Sequence, residues 1–213
     1  AARTITVTGD ADVKKAPDKA DISISISEEN KSLDEARRLT DTQLKSLYRI
    51  AKEAGIPEKD MQTSYSSVQP VYDYNDGKQT FRAYSVNHQI QITLNKVDQV
   101  AVLTEKLLDA RIDNINNVQY GLKEEDSAKD EALKKALVKA KAKAESMAGT
   151  LGESLGRVIQ INESGVSFQP VPMPMMRAKA MAPAAMAMDS AASPPTGEIA
   201  VNANVTVTFA LKD

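Results

Sequence analysis

The stretch EIAVNANVTVTFALK, residues 198–212, alternates apolar and polar side chains more regularly than any other part of the chain. Its apolar positions are Ile199, Val201, Ala203, Val205, Val207, Phe209 and Leu211. Successive strand residues point to opposite faces, so a period of two predicts a strand with one buried face. Such a strand must belong to a sheet, and a second layer must cover that sheet.

The same alternation recurs at residues 4–15, 19–30 and 79–94, and less regular extended stretches occupy residues 61–74, 112–122 and 154–168. Only Ala16-Pro17-Asp18 separates the first two stretches, which predicts that they pair as a hairpin. The residues Asn75-Asp76-Gly77-Lys78 have the chemistry of a tight turn. They predict a second hairpin between residues 61–74 and 79–94.

Three segments have the spacing of helices. Ser32-Leu33-Asp34-Glu35 forms a capping box, which predicts a helix from about Leu33 to Ala54 that Gly55 and Pro57 end. Asn95 is predicted to cap a shorter helix over residues 97–110 with one inward-facing apolar side. Those inward positions are Val100, Leu103, Leu107 and Leu108. A long helix over residues 127–151 has alanine at every fourth position from Ala128 to Ala148, which permits close packing.

The resulting element order is β-β-α-β-β-α-β-α-β-β, which is typical of an α+β protein. We expect a largely antiparallel sheet of long strands with three helices packed against it. The 213 residues suit one domain, because domains commonly contain about 100–200 residues. The domain assignment is therefore 1–213, with a flexible insertion rich in Met, Pro and Ala at about residues 169–197.

The composition excludes several classes of function. Lys plus Arg number 27 against 29 for Asp plus Glu, and this near-neutral balance does not favour nucleic acid as a partner. The chain has no cysteine, so disulfides, thiolate metal sites and cysteine nucleophiles are excluded. No apolar run is long enough to cross a membrane. The start Ala1-Ala2-Arg3 resembles a mature exported chain from which a signal peptide has been removed.

Several motifs, taken in order, resemble the SIMPL domain (DUF541) family of bacterial periplasmic and envelope proteins. They are TITVTGDADVKKAPDKADISISIS, AGIPEKDMQTSYSSVQPVYDY, RAYSVNHQIQITL, the Ala-rich helix ending MAGTLGESLGRVIQINES, a Pro-, Met- and Ala-rich stretch, and GEIAVNANVTVTFAL. Each motif alone is weak evidence for the family. Together they occur in the same order as in the family and cover essentially the whole chain.

This resemblance implies an exported, periplasmic α+β protein. Some family members are associated with oxidative-stress tolerance and others with immunogenicity. The resemblance also implies that the protein forms oligomers, which in this family include ring-like assemblies. The family pattern has no catalytic motif, so the resemblance implies no catalytic residue and no cofactor.

Few residues have the chemistry of an active site. His88 is the only histidine, and it is either a base or ligand, or a partly buried imidazole that is hydrogen-bonded to the backbone or lies at a subunit contact. Asp73 is a second candidate for an unrecognised hydrolase. The acidic groups Glu28-Glu29 and Glu124-Glu125-Asp126 lack the spacing of a calcium loop. The lysines of residues 132–145 are interpreted as a solvated helix face, with anionic lipid as the alternative.

The segment 172–195 contains six of the eight methionines: Met173, Met175, Met176, Met181, Met186 and Met188. Thioethers are soft ligands for Cu(I), and they oxidise reversibly to sulfoxides. These six residues are therefore candidate metal ligands or oxidant scavengers. The prolines and the absence of any period favour a mobile connection instead, and a contact with an oligomer or another partner is the third interpretation.

Together with the lack of catalytic groups, the resemblance to the SIMPL family implies a non-enzymatic, oligomeric periplasmic protein without a cofactor, linked to envelope or oxidative-stress tolerance through self-assembly or partner binding. Self-association is expected through sheet edges or polar sheet faces, with residues 79–94 and 198–211 as the candidate contacts. The alternative function is methionine-mediated Cu(I) binding or oxidant scavenging by residues 173–188.

Overall fold

The computed structural model describes residues 3–112, 114–171 and 196–212. The predicted α+β class and element order are confirmed, and a short 3-10 turn at Glu58–Asp60 is added. The elements are β1 (Thr4–Lys15), β2 (Lys19–Asn30), α1 (Leu33–Glu53), β3 (Met61–Asn75), β4 (Lys78–Leu94), α2 (Gln99–Asp109), β5 (Ile115–Gly121), α3 (Glu125–Thr150), β6 (Leu155–Val171) and β7 (Glu198–Leu211).

The strands form two antiparallel sheets, whereas the patterning predicts one. One sheet has three strands in the order β1-β7-β6, and the other has four in the order β3-β4-β2-β5. The chain accordingly divides into two compact units. Unit 1 contains described residues 3–17, 122–171 and 196–212, and unit 2 contains residues 18–112 and 114–121. The assignment of residues 1–213 to one domain stays a prediction.

The core of unit 1 lies between α3 and the strands β1 and β7. The six alanines spaced four apart, Ala128 to Ala148, are all buried, as predicted. The strand residues that they meet include Val7, Ala11 and Phe209. Small side chains on the helix bring its backbone close to the sheet, and Gly9 in β1 takes part in this approach. A Cβ atom built at Gly9 would lie 2.2 Å from the carbonyl oxygen of Ala136 and 2.7 Å from the Cβ of Ala140.

The core of unit 2 consists of larger side chains. Ile22, Ile24 and Ile26 alternate along β2 and are fully buried against Leu47 of α1 and Leu103 of α2. Alternation in β2 and the three-to-four spacing in the helices therefore bury the faces that the sequence predicts. Leu108 is an exception.

Leu108 was predicted to face inward, but half of its surface is exposed. Val100, Leu103 and Leu107 already lie on the buried face of α2, at spacings of three and four residues. Leu108 follows Leu107 directly, and a helix turns by about 100° per residue, so its side chain points away from the core.

The predicted hairpin between residues 4–15 and 19–30 is wrong. β1 pairs with β7, with Thr4 opposite Ala210 and Lys15 opposite Ile199. β2 lies in the other sheet, where it pairs with β4 and β5. Alternation determines which face of a strand is buried, but it leaves the choice of partner strand open.

The helix starts differ in detail from the predicted caps. The Ser32 hydroxyl accepts a hydrogen bond from the Glu35 N–H at 3.4 Å, so half of the capping box is present. The Glu35 carboxylate accepts from Arg38 instead of from Ser32, whose N–H donates to Asn30. Asn95 does not cap α2: the helix begins at Gln99, and the Asn95 amide donates to Asp60 at 3.0 Å.

The second predicted hairpin and the helix stop are confirmed. β3 pairs over its whole length with residues 78–92 of β4, and Asp76 and Gly77, at the turn, have positive φ angles of 50° and 75°. Two successive residues with positive φ are typical of the tight hairpin turn whose backbone twist matches the twist of the two paired strands. Gly55 has a φ of 76° directly after α1, where glycine commonly ends a helix.

The predicted insertion at about 169–197 is bounded by β6, which ends at Val171, and by β7, which begins at Glu198. Residues 172–195 of that insertion lie outside the described residues. None of the helices in the described ranges is long and apolar enough to cross a membrane.

Candidate functional site

The candidate metal ligands Met173, Met175, Met176, Met181, Met186 and Met188 lie outside the described residues. The remaining methionines are Met61, which packs partly buried against the core of unit 2, and Met147, which is half exposed on α3. In residues 3–112, 114–171 and 196–212, no group of three or more His, Cys, Asp or Glu side chains is placed to hold a metal ion. The Cu(I) hypothesis therefore stays a prediction.

His88 lies in β4, opposite Ser66 of β3 and Ile26 of β2. Its Nδ1 atom is 2.9 Å from the Ser66 hydroxyl, so the partner is a side chain and not the backbone. In a Ser-His-Asp triad, a carboxylate hydrogen-bonded to the imidazole orients it and stabilises its charged form. Asp73 lies seven residues further along β3, about 23 Å away at ~3.3 Å per residue. Asp73 and His88 therefore belong to different places in the sheet.

Asp73 and the acidic pair Glu28-Glu29 are engaged by neighbouring side chains. Arg82 binds Asp73 at 3.3 Å and Glu29 at 3.0 Å, and Gln43 of α1 donates to Glu28. These contacts tie β2, β3, β4 and α1 together within unit 2. They favour a structural role for the carboxylates.

The lysines of α3 alternate with carboxylates along the helix. Lys134 pairs with Asp130, Lys135 with Glu131 and Lys141 with Glu145, each at a spacing of four residues. Hydrogen bonds from Lys15 and Lys135 hold the pKa of Glu131 below its usual value. Because these positive charges are paired on an exposed surface, they agree with the predicted solvated face.

The long strands that were predicted as self-association contacts are not sheet edges. β4 lies between β3 and β2, and β7 lies between β1 and β6. β7 and residues 84–92 of β4 are paired on each side, so their backbone groups are not available to another chain. Association through the polar faces of these strands stays a prediction. The sheet edges of the described residues are β1 and β6 in unit 1 and β3 and β5 in unit 2.

The helix-side face of β3 is less covered than the rest of its sheet. α1 packs on β2 and β4, and β3 lies one strand beyond β4. A cavity of about 580 Å³ lies in unit 2 next to β3. Its lining includes Tyr48 and Lys52 of α1, Met61 and Thr63 of β3, Ile90 of β4, and Ile56 from the segment between α1 and β3. We call this cavity the β3 pocket.

The aromatic residues of this aromatic-poor chain concentrate on β3 and β4. The pairing of β4 with β2 ends where Tyr84 lies opposite Asn30. Residues 78–83 of β4 therefore pair only with β3, and the two strands form a two-stranded ribbon there. We call residues 70–83 the aromatic arm. The ring of Phe81 contacts Tyr72 and Tyr84 edge to face, with ring centroids 6.1 and 5.1 Å apart. Tyr74 completes the group and is 72% exposed.

The aromatic arm continues the helix-side face of the sheet. Tyr72 lies directly opposite Phe81, and Val68 lies directly opposite the buried Val86. Alternation along β3 then puts Val68, Tyr72 and Tyr74 on that same face. Contiguous exposed apolar side chains of this kind mark interaction sites. Tyrosine in particular is enriched at protein interfaces.

The family model described as SIMPL, a protein of unknown function (DUF541), matches residues 5–209. This chain belongs to the SIMPL family. The match includes residues of both units and of every strand and helix described above.

Relatives of this SIMPL chain agree with the family assignment. The chain is 29% identical over 213 residues to the 26 kDa periplasmic immunogenic protein of Brucella melitensis biotype 1, covering 98% of this chain and 84% of the relative. It is 28% identical over 177 residues to the protein YggE of Escherichia coli (strain K12), covering 83% of this chain and 72% of the relative. YggE of Edwardsiella ictaluri is 27% identical over a stretch that covers 83% of this chain and 74% of that protein.

The pattern of the sequence contained the signal for the aromatic arm. Tyr65, Tyr72, Tyr74, Phe81 and Tyr84 are five of the nine Phe and Tyr residues in the chain. Their clustering around one predicted turn was visible, but the edge position of β3 depends on the order of strands. Only the sheet topology identifies this surface as accessible.

Proposed function

We propose that this SIMPL-family chain is a non-enzymatic periplasmic protein that acts through self-association, in support of envelope or oxidative-stress tolerance. The predicted periplasmic or exported location agrees with the name of the Brucella relative. The observation that carries the proposal is the β3 edge, with its uncovered helix-side face and the exposed tyrosines of the aromatic arm.

The proposed absence of catalysis is supported by the chemistry of the described side chains. His88 has a serine partner, but the candidate Asp73 lies about 23 Å away at ~3.3 Å per residue and is paired with Arg82. Glu28, the nearer carboxylate on β2, accepts a hydrogen bond from Gln43. A broad hydrolase screen with a His88→Ala control tests this point. Turnover that His88→Ala abolishes would contradict the non-enzymatic proposal.

The mass of the native assembly tests the self-association. We expect light scattering at micromolar concentration to report a mass that is a multiple of the 23.0 kDa chain. A chain that remains monomeric at that concentration would overturn the proposal. Closed ring-like assemblies, which the family resemblance implies, would appear as one discrete larger mass.

The second candidate function is Cu(I) binding or oxidant scavenging by residues 173–188. The six methionines of that segment in a chain without cysteine favour it. Titration with Cu(I) under reducing conditions compares the parent chain with a variant in which the six methionines are changed to Leu. Equal Cu(I) affinity of the two chains would remove this candidate.

A further inference from the structure

Edge strands of native sheets are usually protected by charges, bulges or short length, because their free backbone groups can pair with another chain. β1 carries Asp10, Asp12 and Lys14, and the Lys143 Nζ atom donates to the Thr8 carbonyl at 2.7 Å. β5 has only 7 residues. These two edges are therefore protected.

The edge strand β6 has a different protection. Its register with β7 shifts at three places, between Leu155 and Val158, between Val158 and Gln160, and between Glu163 and Gly165. Each irregularity bends and twists an edge strand away from a regular partner. Long regular pairing along this edge is therefore interrupted.

β3 lacks such protection in its middle part. It has no charged residue from Met61 to Tyr72. Its register shifts lie between Thr63 and Tyr65 and between Val71 and Tyr72, so the stretch from Tyr65 to Val71 is regular. Pro70 is close to the end of that stretch. The residues Tyr65–Gln69 therefore present a straight, uncharged backbone edge.

We propose that β3 pairs with β3 of a second copy of this chain, antiparallel and about a two-fold axis at Ser67. The proposal rests on the proposed self-association and names the surface and partner for it. An antiparallel pair of identical strands satisfies two-fold symmetry, so the same patch serves both copies. Tyr65 then lies opposite Gln69 of the second copy, and Ser66 lies opposite Val68 of the second copy. The two four-stranded sheets become one sheet of eight strands.

This register brings the aromatic arm of one copy to the β3 pocket of the other. The two-fold axis at Ser67, with Ser64 as the extra residue of the β3 bulge, places Pro70 and Tyr72 of one copy at the level of Thr63 and Met61 of the second. These four residues all lie on the helix-side face, by their pairing with β4 and by alternation. Tyr72, which is 39% exposed in one chain, therefore comes to the β3 pocket of about 580 Å³, whose lining includes Met61 and Thr63, and Tyr74 follows it on the same face.

The exposed surface is large enough for such a contact. Tyr48, Tyr72, Tyr74 and Phe81 are 41%, 39%, 72% and 42% exposed. With ~200 Å² per aromatic side chain, these four present roughly 400 Å² in each copy and roughly 800 Å² in two. Val68 and the backbone edge of β3 add to this area and bring it to the ~1,000 Å² that a specific interface needs.

A single cysteine at the axis tests the register directly, because the chain has no cysteine of its own. Ser67 accepts one long hydrogen bond, from Asn87 at 3.5 Å, so Ser67→Cys leaves the sheet intact. Residues opposite each other in antiparallel strands have Cα atoms about 4.5–5.5 Å apart, within the ~4.4–6.8 Å that a disulfide spans. We expect mild oxidation to convert most of the Ser67→Cys chain to a covalent dimer.

The matched control is Ser167→Cys, at an exposed position of the edge strand β6 in unit 1. We expect this variant to stay uncross-linked under the same oxidation. Cross-linking of Ser167→Cys without cross-linking of Ser67→Cys would overturn the assignment to β3.

A charge at the proposed interface tests its contribution to assembly. Val68→Lys places a lysine on the helix-side face of β3, and the two copies of it lie on either side of the axis. We expect the dimer to dissociate at least about tenfold more readily, because like charges on paired strands repel each other. Val138→Lys is the control, since Val138 is 69% exposed on α3 in unit 1. It should leave the assembly mass unchanged.

The two proposals fail in different ways. A chain that scatters light as a monomer removes both self-association and the β3 pairing. A chain that assembles, but whose Ser67→Cys variant does not cross-link and whose Val68→Lys variant assembles like the parent, keeps the proposed function and removes the β3 pairing. Cross-linking at Ser67 together with weaker assembly of Val68→Lys supports both.

Discussion

Replacing Gly9 with alanine is expected to destabilise unit 1, because the added methyl group has no space. The new Cβ would lie 2.2 Å from the Ala136 carbonyl oxygen, 2.7 Å from the Ala140 Cβ and 2.9 Å from the Ala140 nitrogen. All three are backbone atoms or a Cβ, so no side-chain rotation relieves the contact. The backbone of β1 or α3 must move instead, and by about 1 Å to reach ordinary contact distances.

The size of the effect follows from two opposing contributions. Inserting a methyl group into a close-packed interior costs about 1–3 kcal/mol, and rigid backbone neighbours favour the upper part of that range. Alanine gains about 0.5–1 kcal/mol over glycine in a strand, through the lower entropy of the unfolded chain. Gly9 does not have a positive φ, so backbone strain does not contribute. We expect a net loss of about 2 kcal/mol.

Urea unfolding followed by circular dichroism measures this loss, and a lowering of Tm by about 4–8 °C should accompany it. The control is Gly149→Ala, in the last turns of α3, where a Cβ meets nothing within 4 Å. That variant should be more stable than the parent by up to about 1 kcal/mol. If Gly9→Ala unfolds at the same urea concentration as the parent, then the close approach of β1 and α3 does not exist in solution.

Three further variants test the core, a cap and an ion pair of unit 2. Leu47→Ala removes a fully buried side chain and should cost about 2–5 kcal/mol of unfolding free energy in urea, and a cost below about 1 kcal/mol would contradict its burial. Ser32→Ala removes the acceptor of the 3.4 Å cap bond and should lower stability by about 0.5–1 kcal/mol, whereas Thr42→Ala, at an exposed position on the same helix, should be near neutral. The hydrogen bond from Arg38 holds the pKa of Glu35 below its usual value, so the stabilisation is complete above about pH 4.3 and is lost as the pH falls through the lowered pKa. The free energy of unfolding of Glu35→Gln should therefore fall less steeply than that of the parent between pH 5 and pH 2. Identical dependence of the two free energies on pH would refute this role.

Local features of the fold followed from the sequence wherever one residue and its neighbours decided the structure. The turn at Asp76 and Gly77 and the end of α1 at Gly55 depend on positive φ angles, which few residue types accept. The alanine face of α3 depends on its own spacing. Asn95 failed as a cap because its amide found Asp60, 35 residues away in the chain, a contact that no local pattern contains.

The candidate interaction surface was predictable only in part. The clustering of Tyr72, Tyr74 and Phe81 around a turn was present in the sequence. The role of β3 as an edge was not, and the strands proposed for self-association, residues 79–94 and 198–211, are central over most of their length. A central strand and an edge strand can have the same alternation, because one buried face produces the same pattern in both.

The sequence by itself therefore determined the type and order of the elements and the face that each one buries. The tertiary structure decided that β1 pairs with β7, almost 200 residues away, and that β2 joins a different sheet. The physical reason is that a period of two specifies a face but not a neighbour. The neighbour is selected by packing, such as the close approach of Gly9 in β1 to Ala136 and Ala140 of α3.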